Sequence, residues 1–407
     1  MTTARQFLLR PESELLVWCA RTVVTDELKT YIRQRVQEPL DWALVLDLAR
    51  YHGVGPLLYW TLSMLCSDLV PVESLTQLRQ RTQAGALLNR LLVQELVVLC
   101  EAFAAHGVPV IPIKGAILAA STYGDLTLRD FNDMDLLVPK RSIADAQTVL
   151  LALGYEKKDP STEPSETDHE EGPYHVFIKK RTLFRVDLQW MMAHQHFVFQ
   201  LDRPEFWQHR TAVPLANKTV HGLTPEDLLI VLCVHGSKHA WEALKWVCDV
   251  AELIRAHDQL NWDRIFSSAS TWRCRRLVYM GLSLAHLVLN APLPEAVLAR
   301  LSADSDVQMF SHRMPSTLLA DRRVGVNEAQ AVAFYFSLKD SWWERWWFGL
   351  TLCHDESSII TTPPAWFRWR ASLPRLARLV VPLRWMMRSL LPSTIRGAIN
   401  RWITHGG

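Results

Sequence analysis

The sequence predicts an α+β protein in which a small mixed β-sheet with flanking helices is embedded between N- and C-terminal helical regions. Three patterns support this prediction: helical apolar spacing before residue 106 and after residue 221, an acid pair that opens an apolar run at 133–138, and alternating apolar and polar residues at 184–190. We divide the chain into a helical region (1–105), a sheet-bearing core (106–220), a helical domain that completes the cleft (221–330) and a Trp/Arg-rich C-terminal extension (331–407).

The composition limits the class of protein. With 407 residues, 49% of them hydrophobic and 21% charged, the chain is long enough for two or three domains with their own cores. Its formal net charge of +2 does not provide the strongly basic field of a nucleic-acid-binding protein. The N-terminus lacks an apolar signal segment, no apolar run reaches transmembrane length, and the seven cysteines include no Cys-x-x-Cys pair. These features predict a cytoplasmic protein with reduced thiols.

The N-terminal region is predicted to be helical, because apolar residues recur at helical spacing in 41–50 and 86–105. A short strand is predicted at 108–113. Since Pro109 and Pro112 cannot donate backbone hydrogen bonds, we expect this strand at an edge of the sheet or at a bulge.

The predicted core continues with short elements. A Lys-Gly turn at 114–115 leads into a short helix at 116–122, and a strand follows at 133–138. A helix over 141–153 should end at Gly154, because glycine tolerates the left-handed conformation that commonly follows a helix.

A hairpin is predicted next. Residues 156–173 are charged and rich in Pro, Ser, Thr and Glu, as in a mobile loop. Residues 174–178 and 183–190 then form two strands joined across 179–182. The helices return after residue 221, and Thr224 followed by proline is a favourable helix start.

The acid pair is the strongest functional signal. A strand projects residues i and i+2 to one face, so Asp133 and Asp135 point together while Met134, Leu136 and Val138 face a core. Carboxylates on a rigid strand suit Mg²⁺, which binds through one or two of them together with phosphates. The alternative is a strand-end pair that only caps a turn.

A third carboxylate follows on a later strand. Asp187 shares a face with Arg185 and Gln189, opposite the apolar residues of 184–190. If this strand lies beside the strand of Asp133 and Asp135, three carboxylates converge, as in sites where two metal ions clamp a phosphoryl group. Otherwise Asp187 is an exposed strand residue that pairs across the sheet.

The order of these motifs resembles the DNA polymerase β-like nucleotidyltransferase superfamily, and within it an uncharacterised bacterial nucleotidyltransferase family of the Lys-Gly … Asp-x-Asp type. The likeness covers roughly residues 85–260. It rests on these segments: Ile113-Lys114-Gly115, Arg129 through Val138, Gly154-Tyr155, Val186-Asp187-Leu188-Gln189-Trp190, and His235-Gly236-Ser237-Lys238-His239-Ala240-Trp241.

The resemblance implies an enzyme that moves a nucleoside monophosphate from an NTP to an acceptor, with the core 106–220 as its nucleotidyltransferase domain. It implies Mg²⁺ or Mn²⁺ on the catalytic residues Asp133, Asp135 and Asp187. The acceptor stays open between a small molecule and a peptide or protein, and nucleic acid is not expected because no basic patch interleaved with aromatic residues borders the site. A kinase-like phosphoryl transfer and a non-catalytic nucleotide-binding module are the alternatives.

Nucleotide binding is expected at the Lys-Gly turn and at Arg129. Gly115 allows close backbone approach and the next helix N-terminus favours an anion, so Lys114 is expected to contact the triphosphate unless it is a solvated loop residue. Arg129 either contacts phosphate or pairs with a carboxylate at the entry of the acidic strand. Two departures from the family pattern bear on this site: Gln189 replaces a histidine, and Lys-Gly replaces the Gly-Ser of the wider superfamily.

Two further segments carry weaker signals. His235 and His239 are spaced i, i+4 on a helix without the glutamate of a zinc motif, so we interpret them, with Lys238, as core or substrate-contact residues rather than zinc ligands. Residues 357–407 carry eight arginines and no acid. Their prolines break the segment into short pieces, which predicts a packed extension that approaches the acceptor side rather than a membrane-surface helix.

Overall fold

The structure is a computed structural model that describes residues 9–158, 174–194, 197–319 and 328–346. Two compact units divide the chain, Met1–Val324 and Gly325–Gly407. The predicted domain boundaries within the first unit remain a prediction. The predicted Arg/Trp tail at 357–407 and most of the predicted loop at 156–173 lie outside the described residues.

From residue 9 onward, the described part of the N-terminal region contains five helices, as the apolar spacing predicted. Thr25 and Asp41 cap two of them by accepting hydrogen bonds from the backbone N–H groups of Leu28 and Leu44. The helices are α1 (Pro11–Cys19), α2 (Asp26–Gln37), α3 (Trp42–Tyr51), α4 (Gly55–Leu65) and α5 (Val72–Ala105).

A five-stranded mixed sheet follows, in the order β1-β2-β5-β4-β3. Only β2 and β5 run parallel; the other neighbours are antiparallel. Its elements are β1 (Ile111–Ile113), α6 (Gly115–Ser121), β2 (Asp133–Leu137), α7 (Ile143–Ala152), β3 (Tyr155–Lys157), β4 (Tyr174–Lys179) and β5 (Arg185–Gln189). The α+β class, the edge position of the proline-containing strand and the hairpin of β4 and β5 are confirmed.

One face of this sheet forms the core. Met134 and Leu136 of β2 pair with Val186 and Leu188 of β5, and all four side chains are buried against α5 and α7. The predicted alternation is therefore correct, and the residues between them lie on the opposite face of the sheet.

The structure adds strands that the sequence analysis did not predict. Residues 156 and 157, predicted as the start of the mobile loop, belong instead to β3, which pairs with β4. Two further hairpins precede the C-terminal helices, and the second lies against α6 and β1. These elements are β6 (Met191–His194), β7 (Phe197–Gln200), α8 (Pro204–Gln208), β8 (Arg210–Leu215) and β9 (Lys218–Leu223).

Helices complete the first unit. Thr224 caps α9 as predicted, because its hydroxyl accepts a hydrogen bond from Asp227 N–H. In the part of the chain that the structure describes, no helix is both long and apolar enough to cross a membrane. The remaining helices are α9 (Pro225–Lys238), α10 (Leu244–Ala256), α11 (Trp262–Thr271), α12 (Arg275–Leu289), α13 (Glu295–Ser302) and α14 (Ser305–Leu318), with α15 (Glu328–Ser337) in the second unit.

Candidate active site

The three predicted carboxylates share the face of the sheet opposite the core, which we call the acidic face. Asp135 on β2 is the direct register partner of Asp187 on β5, and Asp133 precedes Asp135 by two residues. Neighbouring strands lie about 4.8 Å apart and alternate residues about 6.6–7 Å apart along a strand. The backbone therefore brings Asp133, Asp135 and Asp187 together, as the sequence predicted for adjacent strands.

Asp135 lies at the centre of this group and is buried. The Lys114 ammonium is 3.0 Å from Asp135 Oδ2, and the Gln189 side-chain amide donates a hydrogen bond to Oδ1. Burial raises the pKa of Asp135 to about 6; Lys114 opposes this shift, while the charges of Asp133 and Asp187 add to it. Gln189, which replaces the family histidine, thus serves as a hydrogen-bond donor to the central carboxylate.

Asp187 and Asp133 differ in their partners. Arg185, two residues before Asp187 on the same strand, donates to both of its carboxylate oxygens, at 2.6 and 3.0 Å. Asp133 is half-buried, and among the described residues no hydrogen bond or ion pair engages its side chain. The acidic face therefore has one open carboxylate and two that are paired with cations.

The Lys-Gly turn holds Lys114 against the acidic face. Lys114 is a non-glycine residue at φ 58° and ψ −146°, a conformation that costs on the order of 1–3 kcal/mol and is concentrated at functional sites. Gly115 is also left-handed, at φ 37°, and a Cβ there would lie 3.5 Å from the Asp133 carbonyl oxygen. The turn thus passes close to the start of β2 and directs a buried lysine to Asp135.

Arg129 is bound to a helix on the other side of the site. Its Nε and Nη2 atoms donate to the two oxygens of Asp249 on α10, at 2.7 and 2.8 Å, and the Tyr123 hydroxyl donates to the same carboxylate at 2.8 Å. Burial alone would lower the pKa of Arg129, but the Asp249 charge outweighs it and raises that pKa. Of the two roles left open by the sequence, this geometry matches pairing with a carboxylate.

The C-terminal end of α9, which carries the predicted histidines, is followed by a tight turn. Trp241 reverses onto α9, with its indole N–H 3.2 Å from Ser237 Oγ and its ring so close to Gly236 that a Cβ there would lie 2.4 Å away. This turn presents His235 and His239, whose rings lie 4.8 Å apart in an edge contact.

Aromatic contacts and burial determine how His235, Lys238 and His239 are packed and which of them can carry a charge. The His239 ring stacks on Trp246, with centroids 4.6 Å apart. Burial, then the charges of nearby lysines headed by Lys114, hold the pKa of His235 well below its usual value. The Lys238 ammonium lies 5.5 Å from the centre of the Tyr174 ring on β4. His235, Lys238 and His239 are thus half-buried beside the Lys-Gly turn.

Two residues near the site had no signal in the sequence. Asp249 is buried in the middle of an amphipathic helix, and its partner Arg129 lies 120 residues away. Lys245, at the start of the same helix, has Arg129, Asp249, Asp133 and Lys114 as its electrostatic neighbours. The packing of α10 against α9 and α12, together with the Asp249–Arg129 ion pair, places these two side chains beside the acidic face.

A divalent cation fits this donor set, although the site is not preformed. Among the described residues, no three His, Cys, Asp or Glu side chains are arranged around a common point for a metal ion. Lys114 and Arg185 instead hold two of the carboxylates. Asp133 has no hydrogen-bond or ion-pair partner among the described residues, and three carboxylates on one face supply the oxygen ligands that suit a hard cation.

The chain is similar to several solved structures. Two of them are of the antibiotic-resistance factor ANT(2″)-Ia, one in complex with adenylyl-2″-tobramycin (12% identity, TM-score 0.33, 46% of this chain and 98% of that chain) and one in solution (13%, 0.33, 48% and 97%). A third is an antigenic nucleotidyltransferase-like protein from Paracoccidioides brasiliensis (17%, 0.32, 52% and 96%).

No curated protein matches the chain. The profile of a family described as uncharacterised nucleotidyltransferases matches residues 38–290, which include every element of the acidic face and the helices that contact it. Because this match spans more than half of the 407 residues, the chain belongs to that nucleotidyltransferase family.

Proposed function

We propose that this protein is a Mg²⁺-dependent nucleotidyltransferase that moves a nucleoside monophosphate from an NTP to a hydroxyl-bearing small molecule, peptide or protein. The observation that carries the proposal is the parallel register of Asp135 with Asp187, with Asp133 two residues away on the same face. Membership of the nucleotidyltransferase family supports nucleotidyl transfer in general.

In this proposal Asp133, Asp135 and Asp187 hold Mg²⁺ or Mn²⁺, which when bound neutralises phosphate charge and orients the reacting oxygens. The acceptor hydroxyl oxygen forms a bond to the α-phosphorus, the bond from that phosphorus to the bridging oxygen breaks, and pyrophosphate leaves. Asp187 either holds the second metal ion or takes the acceptor proton in this proposal, and Arg185 orients its carboxylate through two hydrogen bonds.

Lys114 has a second role in the proposal. Without substrate its ammonium compensates the charge of buried Asp135. A cation held by Asp135 would replace the ammonium as the partner of that carboxylate, and Lys114 would then be able to neutralise a phosphate oxygen. Gly115 lets the phosphate approach the backbone of the turn. Arg129, held by Asp249, positions the start of β2 rather than contacting the nucleotide.

The test uses two labels on the same NTP. The protein is incubated with Mg²⁺, each α-labelled or γ-labelled NTP and a panel of amino sugars, polyols and hydroxyl-bearing peptides, and acceptors are followed by mass. Addition of a nucleoside monophosphate with release of pyrophosphate supports the proposal. Transfer of the γ-label would show a phosphotransferase, and nucleotide binding without transfer to any acceptor would show a binding module; EDTA is the metal control.

A further inference from the structure

Three lysines from three different elements converge beside the acidic face. Lys114 comes from the turn before α6, Lys238 from the last turn of α9 and Lys245 from the first turn of α10, and all three are electrostatic neighbours of the same histidine, His235. We call these residues the lysine cluster. Like charges repel, so such a cluster is stabilised when an anion binds among them.

The three lysines differ in what they contact. The Lys114 ammonium is 3.0 Å from a carboxylate oxygen of Asp135, and the Lys238 ammonium lies over the Tyr174 ring. Within the described residues Lys245 forms no ion pair; its ammonium lies 5.6 Å from the ring centre of Trp246. Lys245 is therefore the member of the lysine cluster whose positive charge an incoming anion would neutralise.

The start of α10 is built to hold Lys245 in place. The backbone N–H of Lys245 donates to the His52 carbonyl at 3.0 Å, and the N–H of Leu244 donates to His52 Nδ1 at 3.3 Å. The next residue, Gly53, is left-handed at φ 65°, and a Cβ there would lie 2.8 Å from Lys245 Cδ. The aliphatic part of the Lys245 side chain thus packs against the backbone of Gly53, and this contact fixes the direction of the side chain.

The charges around Lys245 indicate the kind of ligand. Desolvation, then the charge of Arg129, lowers the pKa of Lys245, while Asp249 and Asp133 raise it. An anion that approaches the acidic face together with a cation would remove this imbalance. In an NTP the negative charge lies in the phosphate chain and not in the base, so the phosphate chain is the part that suits the lysine cluster.

We propose that Lys245 binds the β- and γ-phosphates of the NTP, the part that leaves as pyrophosphate. This inference rests on the proposed function, because it assumes that the α-phosphate lies against Asp133 and Asp135. Lys114 reaches the phosphate chain from the sheet side and Lys245 from the α10 side, so the leaving pyrophosphate is held between two elements of the protein.

The test compares ligands that differ in phosphate content. Equilibrium binding of ATP, AMP and inorganic pyrophosphate, each with Mg²⁺, is measured for the wild type, Lys245→Gln and the matched control Lys29→Gln, which removes an exposed charge on α2. Loss of one charge-assisted contact should weaken ATP and pyrophosphate binding by roughly ten- to hundredfold and leave AMP binding unchanged. Lys245→Arg should recover part of the affinity.

The outcomes separate this inference from the proposed function. If Lys245→Gln binds pyrophosphate as tightly as the wild type, or loses AMP binding equally, the assignment of Lys245 is wrong while nucleotidyl transfer stands. If the wild type binds neither ATP nor pyrophosphate with Mg²⁺, the proposed function fails and this inference with it. Circular dichroism of the variant at the assay temperature confirms that it is folded.

Discussion

At the scale of single residues, the acidic face is a balance of three carboxylates against nearby cations. Lys114 and Arg185 compensate Asp135 and Asp187, so the face is stable without bound ligand although Asp135 is 8% exposed and Asp187 7% exposed. A buried charge with an oppositely charged partner destabilises the folded state far less than a buried charge without one. In the proposed function, a metal ion and phosphate would replace these protein cations as the partners of the carboxylates during turnover.

We predict that Asp133→Asn and Asp135→Asn each lower transfer by at least about a hundredfold while the fold is kept, because each removes a ligand charge where metal ions supply several kcal/mol of charge stabilisation. Transfer rates at saturating Mg²⁺ and far-ultraviolet circular dichroism are the measurements. Asp145→Asn, at an exposed position in the first turn of α7, is the control. Wild-type turnover in either variant would refute the role of the pair.

We predict that Lys114→Ala lowers both stability and NTP affinity, because it leaves Asp135 buried without its ammonium partner. The free energy of unfolding should fall by on the order of 3 kcal/mol at pH 8. The loss should be smaller at pH 5, since the pKa of Asp135 is already about 6, rises further without the lysine, and lets the carboxyl become neutral. Urea unfolding at the two pH values measures this, and an equal loss at both would contradict it.

At the scale of elements, α10 connects the N-terminal helices to the site. Its first turn is bound to His52 after α3, and its middle is bound through Asp249 to Arg129 and Tyr123, which flank the approach to β2. Motion of α10 would therefore change the position of Lys245 and of the acidic strand together.

The contact between His52, which follows α3, and the first turn of α10 should make the free energy of unfolding depend on pH. Burial lowers the pKa of His52 from 6.5 to about 4, so the folded state holds the neutral ring. The stabilisation is complete above pH 6.5 and is lost as the pH falls towards 4, by about 3 kcal/mol in total. Urea unfolding from pH 7 to pH 4 should show a flatter curve for His52→Asn than for the wild type or for exposed His209→Asn; parallel curves would exclude this assignment.

The second contact of α10 is open to a double-mutant cycle. Asp249→Asn should cost on the order of 3 kcal/mol, because it leaves the half-buried Arg129 guanidinium without its counter-charge. Adding Arg129→Gln should cost much less than its effect alone, since the two side chains contact each other. Urea unfolding of the four proteins gives the coupling energy, and additive effects would show that the pair does not hold α10 to the core.

The elements of the fold that could be predicted from the sequence are those determined by local patterns, such as alternating apolar residues or a helix cap. The faces of β2 and β5 follow from alternation, and the α9 start follows from a local cap at Thr224. The hairpin of β8 and β9 was missed because its two-residue turn uses Ala216 at φ 52°, where glycine or asparagine would have given the usual signal. Lys245 and Asp249 were missed because their partners are far away in the chain, so no local pattern marks them.

At the scale of the whole molecule, the family match at residues 38–290 lies entirely within the first compact unit, which ends at Val324. All residues assigned to metal, phosphate and proton transfer lie within this unit. The basic tail, with eight arginines and no acid after residue 356, was predicted to approach the acceptor side. Nucleotide binding and acceptor use are therefore expected to depend on different parts of the chain.

A truncated protein of residues 1–324 tests this division. We predict that it folds and binds ATP and pyrophosphate with Mg²⁺ within about twofold of the full chain, a change of less than 0.5 kcal/mol, because the acidic face and the lysine cluster are intact. Transfer to the acceptor should fall strongly if the sequence-based prediction for the basic tail is right, because the truncation removes all eight of its arginines. Isothermal titration and acceptor mass analysis on the same preparation measure the two quantities. Loss of ATP binding would place part of the nucleotide site in the second unit, whereas unchanged transfer would exclude the tail from acceptor recognition.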